Sequence, residues 1–240
     1  MLKHNGGFYA LFPRAVGQQL ERVALTSVEI AAMGTFLGRV HNALHDFPSK
    51  HVQARSLAVD RSLAVANIEQ LIALLRGRPR STEPDHACQR RLEEQLAWIE
   101  QTASLEAPSL DSLQAQVIHG DYQQTNLFFE HGHVSGIIDW DQAYVAPRAW
   151  ELVRTMHLVW DLVPMPCATF LAAYRAGTRL DDAELELAAG AYGCMRDHDT
   201  WLYEALYLEG NQRVRQFIPS GRFVPFASRW AALRQALRHA

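Results

Sequence analysis

Residues 117–141 read VIHGDYQQTNLFFEHGHVSGIIDWD, and this stretch restricts the fold more than any other. Two apolar runs, 127–129 and 134–138, flank a tip at Gly132-His133, the pattern of a β-hairpin. With the turn centred between Gly132 and His133, Asn126 and Asp139 fall opposite each other at the open end of the ribbon. Directly opposed residues on paired strands have Cβ atoms roughly 4.5–5.5 Å apart. Asp121 lies on the irregular loop just before Asn126, at the same end. The register thus predicts two carboxylates and one amide gathered at the mouth of a single ribbon.

Helical patterns surround it. Residues 7–12 read as a strand, and 13–17 as a turn or linker leaving it. Ser27 reads as the N-cap of a helix to about His45, with Ile30, Met33, Leu37, Val40, His41 and Leu44 on one face. Further helical patterns cover 57–75 and 86–103, with the breaker-rich stretch 77–85 between them. Val117-Ile118 reads as a short buried strand. After Pro147 the helices predicted are 148–162, 168–175, 181–207 and 224–239. The fold class expected is α+β, mostly helical, with a small central β-hairpin.

Composition narrows the function. A formal net charge of −3 over 240 residues gives no electrostatic footprint for nucleic acid or an acidic membrane surface. No apolar run is long enough to span a bilayer, and the N-terminus lacks a signal-peptide core. Cys88, Cys167 and Cys194 are far apart, odd in number and without a C-x-x-C pair, which fits reduced thiols rather than a disulfide framework or a zinc site. The expected location is the cytoplasm.

A carboxylate and an amide oxygen placed as Asn126 and Asp139 are predicted to be can share one hard divalent cation, which prefers oxygen ligands. Mg2+ held there can bridge nucleotide phosphate oxygens. Asp121 on the adjoining loop can accept the proton of an attacking hydroxyl. The plain alternative for H-G-D-x-x-x-x-N alone is a loop with an Asx turn. The apolar hairpin and the I-I-D-W-D ending at matched register favour the chemical reading.

HGDYQQTN followed by IIDWDQAYVAPRAWEL resembles the aminoglycoside phosphotransferase and choline-kinase-like family, small-molecule relatives of the protein kinases. GRVHNALH resembles that family's first large-lobe helix. The resemblance runs from about Gly7 onward and is densest between His119 and Glu151. It implies a protein-kinase-like large lobe over 18–240, with the catalytic loop at 119–126 and a metal-binding segment at 139–141. Residues 1–17 would be a remnant of the small lobe's strand and hinge linker. By the same resemblance Asp121 is the catalytic base, Asn126 and Asp139 hold Mg2+, ATP is the phosphate donor, and His119 and Asp141 are supporting residues. The segment from Phe8 to Arg14 resembles the strand and linker whose backbone binds adenine, which assigns Ala10, Leu11 and Phe12 to the nucleotide. Glu151 stands where many members carry Asp.

The departure from the family lies at the start. Only six residues precede Gly7, with no strand among them, no glycine-rich phosphate loop, and a lysine, Lys3, too near the linker to pair the phosphates. Catalysis in this class rests on positioning, so weak ATP affinity and low turnover are expected of the chain alone. The apolar surface expected around Phe8, Tyr9 and Leu11 would be covered by a homodimer or by a partner supplying the missing lobe.

The acceptor implied is the hydroxyl of a small molecule. Asp197, Asp199, Trp201 and Glu204, set among Tyr203 and Tyr207, are the candidate acceptor residues, and their acidity suits a cationic acceptor such as an aminoglycoside or amino alcohol. Asp181–Glu186 reads instead as a solvated helix start. His41 and His45 have zinc-binding spacing but lack the intervening glutamate, so His41 reads as a core or loop-bracing histidine. His131 and His133 read as exposed turn residues, Trp140 and Trp150 as core, and the arginines from Arg213 to Arg238 as a solvated face. Two other functions compete: a non-catalytic kinase-like module that binds a small molecule or protein, and a metal-dependent phosphoester hydrolase using His119, Asp121, Asp139 and Asp141.

Overall fold

The computed structural model describes residues 2–4, 7–9, 13–52 and 55–237. In chain order the elements are β1 (Leu2–His4), β2 (Gly7–Tyr9), α1 (Ser27–Leu44), α2 (Arg61–Arg76), α3 (Glu83–Gln101), β3 (Ala115–Ile118), β4 (Leu127–Glu130), β5 (His133–Ile137) and β6 (Tyr144–Pro147). They continue as α4 (Arg148–Trp160), α5 (Pro164–Gly177), α6 (Asp182–Asp197), α7 (Trp201–Tyr207) and α8 (Phe226–Leu237). Among the described residues the strands pair in twos, β1 with β2, β3 with β6 and β4 with β5, and the fold is α+β and mostly helical. Among the described residues no helix is long and apolar enough to cross a membrane. No disulfide is present among them, and Cys88 and Cys167 are buried.

The chain forms two compact units. The first comprises Met1–Gln53, Gln116–Val145 and Thr155–Arg179. Its long helix α1 starts at a capping box, in which Thr26 accepts from the Val28 amide and Glu29 reaches back to the Thr26 amide at 3.0 Å. Thr26, one residue before the predicted Ser27, is therefore the cap. The buried stripe of α1 includes Met33 and Leu37, both fully buried, and packs on α5. His41 is a core residue. Its Nδ1 lies 2.9 Å from the Tyr174 hydroxyl, and its carbonyl accepts from Gln116 at 2.8 Å.

Two expectations about this unit change. The six residues before Gly7 do contain a strand, since Leu2–His4 pairs antiparallel with Gly7–Tyr9, Lys3 facing Phe8 across the ladder. The sequence signal was Asn5-Gly6, the dipeptide that short hairpin turns favour. Ala10, Leu11 and Phe12 lie outside the described residues, as do the side chains of Phe8 and Tyr9 on which the apolar surface was expected.

The second correction concerns hairpin register. Glu130 pairs with His133 and Phe129 with Val134, so the two-residue turn is His131-Gly132, one position earlier than predicted. Both turn residues have positive φ, 49° and 75°, as the turn type that matches strand twist requires. A bulge between Phe128 and Phe129 then shifts the ladder by one, so that Leu127 faces Ile137. His131 and His133 are exposed, as expected.

The second unit comprises Ala54–Ala115, Ala146–Arg154 and Leu180–Ala240. Ile68, Leu71, Ile72 and Leu75 on α2 meet Cys88, Leu92 and Ile99 on α3 and Tyr203 on α7. These positions recur at three, four and seven residues, the period of a helix face. Trp150, 1% exposed, packs edge-on against Tyr192 at 5.2 Å. The single helix predicted over 181–207 is two helices. The chain breaks at 198–200, where buried Gln95 donates to the carbonyls of Asp197 and Asp199, at 3.0 and 3.3 Å. Those carbonyls need no further helical turn to be satisfied.

Candidate active site

Asp121, Asn126 and Asp139 all lie in the first unit, and the backbone that carries them is closely tied. Val117 and Ile118 on β3 are buried and lead into His119, whose side chain is fully buried. The next residue, Gly120, has φ +80°, and a Cβ there would fall 2.1 Å from the Gln142 carbonyl oxygen. Only glycine lets the loop turn this close to the segment that follows Asp139. Tyr122 pins the loop to α1 through its hydroxyl, which donates to the Met33 carbonyl at 2.8 Å. Its own carbonyl accepts from Thr155 at 3.1 Å.

His119 connects the two halves of the site. The Asp121 amide donates to His119 Nδ1 at 3.3 Å, so that nitrogen is an acceptor and the proton sits on Nε2. Nε2 then donates to the Ile138 carbonyl at 2.9 Å. The amide of the same residue, Ile138, donates to the Asn126 carbonyl at 3.0 Å. One peptide position thereby holds the Asp121 loop and Asn126 against the end of the hairpin.

Asn126 is 7% exposed, and its Nδ2 donates to the Asp121 carbonyl at 2.9 Å and to Asp121 Oδ2 at 3.0 Å. Oδ2 also accepts from Gln123 Nε2 at 2.8 Å. The Asp121 carboxylate is therefore aimed by two side-chain amides. Gln123 is the residue that sequence reasoning passed over, and its signal lay in the run of amides between Asp121 and Asn126. Gln19, from the segment after the linker, donates to the Thr125 carbonyl and braces the same loop.

The register correction matters here. Asn126 faces Ile138, not Asp139, and Asp139 follows one residue later in the left-handed conformation, φ 63° and ψ 65°. Aspartate is among the few residues that tolerate it. Asp139 and Asp141 are both exposed, and Asp121 is half-buried. Trp140 is not core, being 39% exposed with its ring 4.7 Å from that of His119. Among the described residues no three His, Cys, Asp or Glu side chains form a metal-binding group. The hydrolase reading drew on His119, and both nitrogens of that histidine are engaged with backbone.

The candidate acceptor residues lie in the second unit, and the structure divides them. Asp197 is buried, accepts from the Phe226 amide at 2.9 Å, and lines a cavity of about 340 Å³. Burial pushes its carboxyl up to about 6. Asp199 and Trp201 line a separate recess of about 60 Å³, where Asp199 pairs with Arg196 and accepts from the Trp201 amide at 3.0 Å. Glu204 lines neither. Its Oε1 accepts from Asn67 at 2.9 Å and from Thr200. Glu151 is fully buried.

Solved structures share this fold at low identity. An aminoglycoside phosphotransferase from Alicyclobacillus acidocaldarius superposes with a TM-score of 0.65 at 14% identity, covering 95% of this chain and 71% of that one. Aminoglycoside 2′-phosphotransferase-IIIa in its GDP complex gives 0.51 at 14% identity, with 94% and 69% covered. An ethanolamine kinase from Plasmodium vivax gives 0.51 at 16% identity, with 95% and 68% covered. No curated protein sequence matches the chain. The profile of the phosphotransferase enzyme family matches residues 2–189, and on that match, with the fold in agreement, the chain belongs to the phosphotransferase enzyme family.

Proposed function

We propose that the protein is an ATP-dependent phosphotransferase acting on the hydroxyl of a small molecule. The observation that carries this reading is the Asp121 carboxylate, aimed by the amides of Asn126 and Gln123 on a loop that His119 fastens to the peptide preceding Asp139. A carboxylate held in this way can take the proton of an incoming hydroxyl and orient it for in-line attack. Its two amide bonds leave the oxygen little freedom to turn away, and fixed orientation is a large part of catalysis in this class. His119 acts through the loop, not on the substrate.

The donors fit a hard divalent cation. With Nδ2 committed to Asp121, Oδ1 is the atom Asn126 offers, and Asp139 offers a solvent-facing carboxylate. When bound, Mg2+ would neutralise charge on the phosphate oxygens. In this reading residues 1–17 end a nucleotide lobe, with Ala10, Leu11 and Phe12 meeting adenine, and residues 18–240 form the large lobe in the cytoplasm. The acceptor is a hydroxyl-bearing amine, the chemistry named for the structural neighbours that act on aminoglycosides and ethanolamine.

The test is ATP consumption against a panel of amino alcohols and aminoglycosides. Asp121→Asn should lower kcat by roughly 10²–10⁴-fold while leaving Mg-ATP binding within about twofold of wild type. Full turnover by that variant would remove Asp121 from the reaction. No binding heat with Mg-ATP at millimolar nucleotide would remove the nucleotide from the function.

A further inference from the structure

The 340 Å³ cavity of the second unit contains none of Asp121, Asn126 and Asp139, and of the candidate acceptor residues it holds Asp197 alone. It is the size of a pocket for a small organic molecule. Three aromatic rings line it: Trp98 from α3, and Phe226 and Trp230 from α8, the latter two stacked with centroids 6.2 Å apart. On α8 the small, exposed Ala227 and Ala231 sit at helical spacing beside Trp230 and keep the space open.

The wall charges narrow the occupant. Arg61 donates to the carbonyls of Thr102 and Leu105, both at 3.0 Å. Arg234 pairs with Glu186 at 2.8 Å, and Glu186 also accepts from Trp230 Nε1 at 3.1 Å. Glu186 and Arg234 answer each other's charge, so that pair calls for no counter-ion from a guest. Asp197 differs. The Phe226 amide donates to its carboxylate at 2.9 Å, which ties one of the three rings to the wall. A carboxylate has about four acceptor positions, so this bond leaves capacity for a further donor.

We propose that this cavity binds a flat, ring-bearing small molecule through one hydroxyl or N–H group that donates to Asp197. The inference is independent of the phosphotransferase reading, and its test needs no turnover. Indole supplies the ring and the donor, and 1-methylindole supplies the ring without the donor. Calorimetry should show wild type binding indole with a dissociation constant below about 1 mM. Binding of 1-methylindole should be weaker by about tenfold, the value of a hydrogen bond to a charged acceptor. Ala227→Trp, a change at an exposed position, should fill the space and abolish indole binding. Intermolecular NOEs from indole to the Ala227 and Ala231 methyls in wild type locate the guest without any variant. Absence of binding, equal affinity for the two indoles, undiminished binding by Ala227→Trp, or NOEs to other methyls would each overturn the proposal.

Discussion

Asp197 shows how a single side chain sets a pH dependence. Its carboxyl is pushed up by burial to about 6, from the 3.8 of an exposed aspartate. A folded-state value above the unfolded one means that the native chain keeps this proton longer. The destabilising buried charge is therefore absent below about pH 4 and fully present above about pH 6, with stability falling between them. The loss amounts to up to roughly 3 kcal/mol. Wild type should lose stability across that window relative to Asp197→Asn in denaturant melts. A difference between the two that does not vary with pH would refute the assignment. Gly120 is the other decisive residue. Gly120→Ala puts a Cβ against the Gln142 carbonyl and strains φ, and should cost at least about 1–3 kcal/mol. A melt unchanged from wild type would show that the loop has room to relax.

At the scale of elements, caps and turns carry the local information. Thr26 closes the start of α1 and Thr82 that of α3, each with an acid three residues on. Thr26→Ala should cost about 1 kcal/mol of stability. Thr82→Ala should cost more. Asp85, the partner of Thr82, is buried and also accepts from the Tyr207 hydroxyl at 3.0 Å. Burial by itself would raise the Asp85 carboxyl, yet its bonds to Thr82 and Tyr207 and the charge of Arg78 hold it below the ordinary value. Chemical denaturation of the two variants side by side tests that order. Helices α1 to α3 were legible to within a few residues because their apolar positions repeat at helical spacing. The break between α6 and α7 was not, because Gln95, about a hundred positions away, supplies the bonds that end α6. Hairpin register was misread at the tip, where the turn falls on His131-Gly132, and the bulge beside Phe129, whose other edge pairs with Gln18, moves the ladder again towards the mouth.

At the scale of the molecule, ligand binding should report on the proposed site. Mg-ATP at a hundred times its dissociation constant should stabilise the protein by about 2.7 kcal/mol. Asp139→Ala should erase that gain in a thermal melt while costing the free protein only the roughly 1–2 kcal/mol of a non-Asx residue in the left-handed region, because the side chain is exposed. A full shift in the variant would take Asp139 out of nucleotide binding. The linear sequence by itself determined the helix-rich class, the loop HGDYQQTN and the family, because these depend on short-range periodicity and on residue types at fixed spacing. The tertiary structure alone decided that Gln123 aims Asp121, that Asp139 sits one step beyond the residue facing Asn126, and that Asp197 and Glu204 serve different neighbours. Each of those depends on hydrogen bonds satisfied by backbone or side chains that local pattern does not encode.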